Sequence, residues 1–366
     1  MFVYLGRRGA MPRLAYNVLS AARDMPELDI SICVSRQSES FNSYSEFWRQ
    51  VVALDTFKTN AGALLNAWRI PLLRRQLAAE VSRREIATVI ELMPHVWSSF
   101  LMPALRGAGA RYFVVAHDAD AHPGDATALV KGLVDRTLRD ADGVITLSDA
   151  VSARLISGGQ LPSERLHTLF LPDIIYDEIS PTSARPVGTP LRVLFFGRIM
   201  PYKGLSLFVS AAAALQRAGI PIEIGVFGEG DLGRERESLA ALGAEVVNRW
   251  LSEKEIAHIL GRYDVVVVSH IEASQSAVVA TAFGAGLPVI ATPVGGLLEQ
   301  VTDGVTGLVA DSVSADALSA TIARLALDSS LYATLRDGVR LHRGSRSMAR
   351  FVSDCAALVR SRPLQL

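Results

Sequence analysis

Short runs of consecutive apolar residues alternate along this chain with longer stretches in which apolar positions recur at helical spacing. Strands buried on both faces read as unbroken apolar runs, and helices that cover them read as amphipathic, so the pattern predicts parallel sheets flanked by helices. In the first half the predicted strands are Met1–Leu5, Ile30–Val34, Val89–Leu92, Tyr112–Ala116 and Gly143–Leu147. Helices are expected over Arg13–Arg23 and from about Leu64 to Arg84, the second interrupted near Pro71. Between Pro172 and Pro190 the composition shifts to Pro, Ser, Thr and Gly, as an interdomain linker would. A second series of strands follows at Arg192–Phe196, Glu223–Phe227, Glu245–Val247, Val265–Ser269, Pro288–Ala291 and Gly307–Val309, with helices such as Leu205–Ala218 and Glu253–Leu260 between them. The expected architecture is α/β: two doubly wound Rossmann-like domains, each able to bind ligand at the carboxyl ends of its strands. Met348–Val359 reads as a last helix whose apolar face suits either domain.

Two stretches change the picture if read otherwise. Ala277–Leu298 carries no charge and is long enough to span a bilayer, but Gly284, Gly286, Pro288, Pro293, Gly295 and Gly296 interrupt it. Six breakers fit a buried helix, a turn, a buried strand and another turn better than a membrane helix. Met1–Leu5 is too short an apolar run for a signal peptide. The 366 residues suffice for two domains, and a hydrophobic fraction of 49% against 20% charged supports large cores. Lys and Arg balance Asp and Glu at 37 each, which argues against a nucleic-acid partner. Two cysteines, Cys33 and Cys355, supply neither a disulfide framework nor a thiol metal cluster, so a reducing, cytoplasmic setting is expected.

Candidate chemistry gathers in the second half. The strand Val193–Phe196 runs into Gly197-Arg198, and Lys203-Gly204 stands where the next helix begins. Two cations beside the backbone donors of a helix start suit a diphosphate, though a solvated turn reads the same way. One βα unit later comes Gly228-Glu229-Gly230, a weak signal alone. The third element, His270-Ile271-Glu272-Ala273-Ser274-Gln275-Ser276-Ala277-Val278, lies between an apolar strand and the uncharged helix. Its small and polar residues present amide groups to an anion, or Ser274 or Ser276 is simply a helix cap. The fourth is Pro293-Val294-Gly295-Gly296 leading to Glu299, then Asp303-Gly304-Val305-Thr306-Gly307.

In order and spacing these four elements, with Gly286-Leu287-Pro288-Val289-Ile290-Ala291-Thr292, resemble the retaining glycosyltransferases of family 4, over residues 190–345 most clearly. The resemblance implies the GT-B fold, two Rossmann-like domains facing a central cleft: an acceptor-side domain over 1–178, a nucleotide-sugar-binding domain over 190–345 and a helical tail over 346–366. It implies that Arg198 and Lys203 bind the donor diphosphate and offset leaving-group charge, and that Glu272 touches the hydroxyls of the donor sugar. Backbone groups from Ser276 through Ala277 to Val278 would face the phosphates, with Ser274, Gln275, Gly228 and Glu229 also on the donor side. The loop Arg249-Trp250-Leu251 resembles the one that meets the nucleobase. One departure stands out. Many members carry a second glutamate eight residues after the first, assigned to the ribose; here Ala280 holds that place, as in the Glu-Ala-Ser-Gln-Ser branch, and Glu299 is a speculative substitute.

In the first half, His117 ends the strand Val114–Ala116, where the family often places a histidine facing the transferred sugar. Asp118-Ala119-Asp120, with His122 and Asp125, mimics a metal motif, but the cationic corner reduces the need for a metal and none is expected. Gly6-Arg7-Arg8-Gly9 is a backbone approach to donor or acceptor, or just a tight turn. Arg69, Arg74, Arg75, Arg83 and Arg84 share a helical stretch with Trp68, Leu72, Leu73 and Leu77. It reads as a peripheral contact on the inner face of a membrane, or as a solvated helix with an apolar inner stripe. The expected activity is sugar transfer, with retention, from a nucleoside diphosphate sugar as co-substrate to a saccharide or lipid-linked saccharide. No other cofactor is expected. A non-catalytic nucleotide-sugar-binding subunit of a polysaccharide assembly system and a sugar-nucleotide epimerase are the competing readings.

Overall fold

Seven short parallel strands make the sheet of the first unit: β1 (Phe2–Tyr4), β2 (Ile32–Ser35), β3 (Val51–Leu54), β4 (Thr88–Glu91), β5 (Arg111–Ala116), β6 (Gly143–Thr146) and β7 (Leu166–Thr168). They lie in the order β3-β2-β1-β4-β5-β6-β7, so the winding reverses between β1 and β4. The computed structural model describes residues 1–47, 49–119, 128–176 and 188–360. By compactness the chain divides into Met1–Leu171 together with Met348–Leu366, and Pro172–Ser347. The first unit therefore takes up the last helix, Met348–Arg360, which packs on helix Ala10–Ala22. Phe351 meets Phe170 edge-on at 6.1 Å, and the Arg111 guanidinium donates to the carbonyl of Val359.

The second unit holds six parallel strands: β8 (Leu191–Phe196), β9 (Ile222–Phe227), β10 (Glu245–Val247), β11 (Val265–Val268), β12 (Val289–Ala291) and β13 (Gly307–Val309). Their order, β10-β9-β8-β11-β12-β13, puts the reversal between β8 and β11, paired in register Val265 to Val193 and Val266 to Leu194. The amino ends of these two strands are pinned by a two-pronged ion pair. Arg192 reaches Asp264 at 2.6 and 3.1 Å, and the Arg192 amide donates to the same carboxylate at 2.9 Å. Asp264 is fully buried, so this fork replaces the water it has lost. With the amino edge fixed, the reversal leaves its opening at the carboxyl edge.

The helical stretch is interrupted near Pro71: helix Asn60–Leu65 gives way to a tight turn at Ala67–Arg69 and then to helix Ile70–Arg83, with the proline in its first turn, where its missing N–H costs nothing. The edge strands β3 and β7 also join the sheet, although neither forms a long apolar run. Ala277–Leu298 is a helix over Ala277–Gly284, then β12, then a four-residue helix at Leu297–Gln300. Among the described residues, no helix is long and apolar enough to cross a membrane.

Candidate functional site

Around the β8/β11 reversal the carboxyl-edge turns are locked to one another through backbone. The Gly197 amide donates to Phe227 O at 3.0 Å and that of Ile199 to Glu229 O at 2.8 Å, which carries the ladder past both strand ends. Gly228 and Gly230 sit at φ 148° and 155°, and a Cβ on either would overlap the carbonyl of Gly197 or Ile199. On the other side, Ile271 N donates to Tyr202 O at 2.7 Å and Ser269 Oγ to Gly204 O at 3.0 Å. Gly204 holds φ 68° with its Cα against Ser269 O, and Gly295 packs in the same way against Ala273 O. Only glycine gives both the left-handed turn and the close approach.

This framework gathers several of the predicted residues. Lys203 curls back over the Gly197 turn: a Cβ at Gly197 would lie 3.5 Å from Lys203 Nζ and 3.2 Å from Val278 Cγ2. The ammonium, the turn and the first turn of helix Ala277–Gly284 thus share one spot. Arg198 is exposed beside it, as is Glu272 on the loop after β11, while Ser274 and Gln275 are half-buried. Ser276 is the capping residue of that helix, yet its side chain makes no cap hydrogen bond and its Oγ is buried without a partner. Gln300, which the sequence reading passed over, holds the cap instead. Its Oε1 accepts from the Ser276 amide at 2.7 Å and its Nε2 donates to the Ser276 carbonyl at 3.2 Å. The Ser276 amide is therefore engaged within the protein. Ala277 and Val278 follow it in the first turn.

Farther out, Gly228 is buried and Glu229 exposed. Arg249 is clamped by Glu255 at 2.5 Å and donates to Trp250 O at 3.0 Å, while Leu251 is buried. The Arg249 guanidinium and the Ser252 cap bonds draw the Glu255 carboxyl down to about 2. Ala280 is buried, and its carbonyl accepts the Ile174 amide at 3.1 Å. Glu299 is exposed.

The first unit brings its own groups to a carboxyl edge. His117 follows β5 half-buried, and its Nε2 lies 2.7 Å from Leu92 O. Since a carbonyl only accepts, Nε2 carries the proton; burial lowers the imidazole's pKa and keeps the ring neutral, with Nδ1 as acceptor. A cluster the sequence reading missed lies after β3 and β4. Phe57 stacks on His95 at 5.0 Å and meets Trp97 at 4.9 Å, and Arg7 lies over the Phe57 ring at 5.5 Å. Burial, helped by the Arg7 charge, pushes His95 down to about 3. Position after β4, beside the reversal, was the signal available for it. Behind these, Glu91 is fully buried, accepts from Ser98 Oγ and Tyr112 Oη, and is raised by burial to about 7. Of the metal-like motif, Asp120, His122 and Asp125 lie outside the described residues.

Residues 190–328, most of the second unit and all six of its strands, match the family described as glycosyl transferases group 1. The second unit is a group 1 glycosyltransferase domain. The chain also resembles the D-inositol 3-phosphate glycosyltransferase of Salinispora arenicola, with which it is 32% identical over 185 residues, 46% of this chain and 41% of that one. The chain thus spans less than half the length of that relative. Similarity to the alpha-D-kanosaminyltransferase of Streptomyces kanamyceticus is fainter but longer, 23% over 71% of each chain. Among solved structures, Anabaena HepE in complex with UDP-glucose superposes with a TM-score of 0.70 at 17% identity over 99% of both chains. A glycosyltransferase from Rickettsia africae gives 0.67 at 15% over 98% and 97%. At that identity the likeness establishes the fold, and the chain has the two-Rossmann GT-B fold outside its glycosyltransferase domain as well as within it.

Proposed function

We propose that this protein is a retaining glycosyltransferase that moves a sugar from a nucleoside diphosphate sugar to a hydroxyl of a saccharide or lipid-linked saccharide. The observation that carries the reading is the meeting of Lys203 Nζ, the Gly197 turn and the first turn of helix Ala277–Gly284 at one strand edge. A leaving diphosphate there gains an ammonium, the exposed Arg198 and the positive end of a helix. These groups are in place before charge develops, so they lower the barrier without reorganising. The departing phosphate oxygen then takes the proton of the incoming hydroxyl on the same face, which retains configuration. Glu272 accepts from the donor sugar's hydroxyls, and His117 acts as a neutral hydrogen-bonding group toward the transferred sugar. The loop Arg249-Trp250-Leu251 meets the base. Charge is balanced by side chains and helix, so transfer proceeds without a metal and survives chelation by EDTA.

The test is a donor panel, UDP sugars first because HepE was solved with UDP-glucose, run with Lys203→Ala and Arg198→Ala. Lys203→Ala lowers turnover by roughly a hundred- to a thousandfold, as loss of a preorganised donor does. The anomeric configuration of the product, read by NMR, reports retention. Transfer rates unchanged in both variants, or an inverted product, refute the mechanism.

A further inference from the structure

Among the described residues, most exposed large apolar side chains fall singly, as on any protein surface. Four do not. Leu64, Leu65, Trp68 and Leu72 are 77, 76, 73 and 62% exposed and fall within nine residues of the first unit. Leu64 and Leu65 end helix Asn60–Leu65, Trp68 lies in the turn Ala67–Arg69 and Leu72 in the first turn of helix Ile70–Arg83, so exposed apolar side chains stand on three consecutive elements. The core is served instead by Leu73, Leu77 and Val81, which are buried. The four outer side chains are thus largely in solvent, and exposed apolar residues gathered this closely along the chain point to an interaction site.

Its surroundings choose the partner. Lys58, Arg69, Arg74 and Arg75 accompany these four residues against a single acid, Asp55, between positions 55 and 76. Asp55 is taken up by Arg69 at 2.9 Å, while Lys58, Arg74 and Arg75 are exposed. Farther along the helix, Glu80 is paired with Arg83 and Arg84. An exposed tryptophan between leucines, rimmed by long cationic side chains, matches the water–hydrocarbon boundary of an anionic bilayer. There the indole sits at headgroup level, the leucines enter the acyl region and the guanidinium groups reach back to phosphates.

We propose that this face docks the protein on the surface of a membrane containing anionic lipid, with Leu64, Leu65, Trp68 and Leu72 inserted and Lys58, Arg74 and Arg75 on the headgroups. The surface belongs to the first unit and stands independently of the transfer chemistry assigned to the second. The experiment is co-sedimentation of the full chain with vesicles of phosphatidylcholine alone and with about a third phosphatidylglycerol, at low and high salt. Wild type binds the anionic vesicles at least tenfold more strongly than the neutral ones and loses part of that binding in salt. Leu64→Ser/Leu65→Ser/Trp68→Ser/Leu72→Ser lowers binding at least tenfold, with thermal unfolding and nucleoside diphosphate affinity unchanged. Trp68→Phe keeps the binding but removes a vesicle-induced blue shift of tryptophan emission. Three results overturn the proposal: no binding to either vesicle, binding that the quadruple variant retains, or self-association through this face, seen by sedimentation and abolished in the quadruple variant without vesicle binding in wild type.

Discussion

The two units share a winding plan and finish their carboxyl edges in opposite ways. In the second, the edge is backbone against backbone: Gly204 on Ser269, Gly228 on Gly197, Gly230 on Ile199 and Gly295 on Ala273. In the first, the edge is filled by side chains, with Phe57, His95 and Trp97 packed together and Tyr4 lying beneath Gly6. Gly9, in the first unit's own strand-to-helix turn, has nothing near its missing side chain. Under the proposed function, a rigid backbone cradle suits a diphosphate, the part that many donors share, whereas an edge built of rings and titratable groups changes with each substitution.

The contrast breaks most visibly at the glycines. Gly204→Ala puts a Cβ onto the Ser269 carbonyl at φ 68° and destabilises the second unit by more than about 3 kcal/mol, with loss of nucleoside diphosphate binding. Gly9→Ala meets open space at φ 104° and costs only backbone strain, about 1–3 kcal/mol. Urea unfolding of both variants, with nucleotide titration, checks the pair. Equal losses would remove the distinction between the two edges.

The next largest effect belongs to the first unit and appears as pH dependence. Glu91 is raised by burial from 4.5 to about 7, so the folded state holds its proton more tightly than the unfolded one. Its contribution is complete below pH 4.5 and is lost as pH rises to about 7, about 3 kcal/mol over that interval. His95 and His117, both lowered, act in the reverse sense and cost stability as pH falls below the ordinary imidazole value. Glu91→Gln mimics the protonated acid and flattens the first of these slopes. Urea midpoints from pH 4.5 to 8 for wild type and variant measure it, and identical slopes would contradict a buried, proton-holding Glu91.

The smallest effect sharpens the donor edge. Gln300→Ala frees the Ser276 backbone and lets its hydroxyl turn back onto the first-turn amides, as a serine cap ordinarily does. Donor KM rises about tenfold, near the energy of one or two hydrogen bonds, while kcat changes by less than about threefold. A fall in kcat with KM unchanged would move Gln300 out of donor binding.

Where each unit was legible follows from the same contrast. All six strands of the second unit lie within a residue of their predicted ends, because Val265–Val268 is an unbroken apolar run and β8 and β9 end at Gly197 and Gly228. The first unit gave up five strands of seven. Val51–Leu54 is half-buried at alternate positions and Leu166–Thr168 is mostly polar, as edge strands are, so neither shows the signature of a strand covered on both faces. Arg198, Lys203 and Glu272 stood out because they are charged residues at strand-end turns, and their roles remain part of the proposal. Gln300 did not, because it acts on Ser276 from 24 positions away and no local spacing records that pairing. His95 and Phe57 were hidden for the same reason: nothing in the order of residues says that the ends of β3 and β4 meet.

The closing helix, Met348–Arg360, completes the unit that the chain began, so the glycosyltransferase domain is threaded through the first unit as an insertion. A ribosome therefore releases the second unit entire while the first still lacks the segment that packs on helix Ala10–Ala22. Trimming the chain's last twenty residues would spare the second unit and unsettle the first, most of which lies far from the cut in sequence.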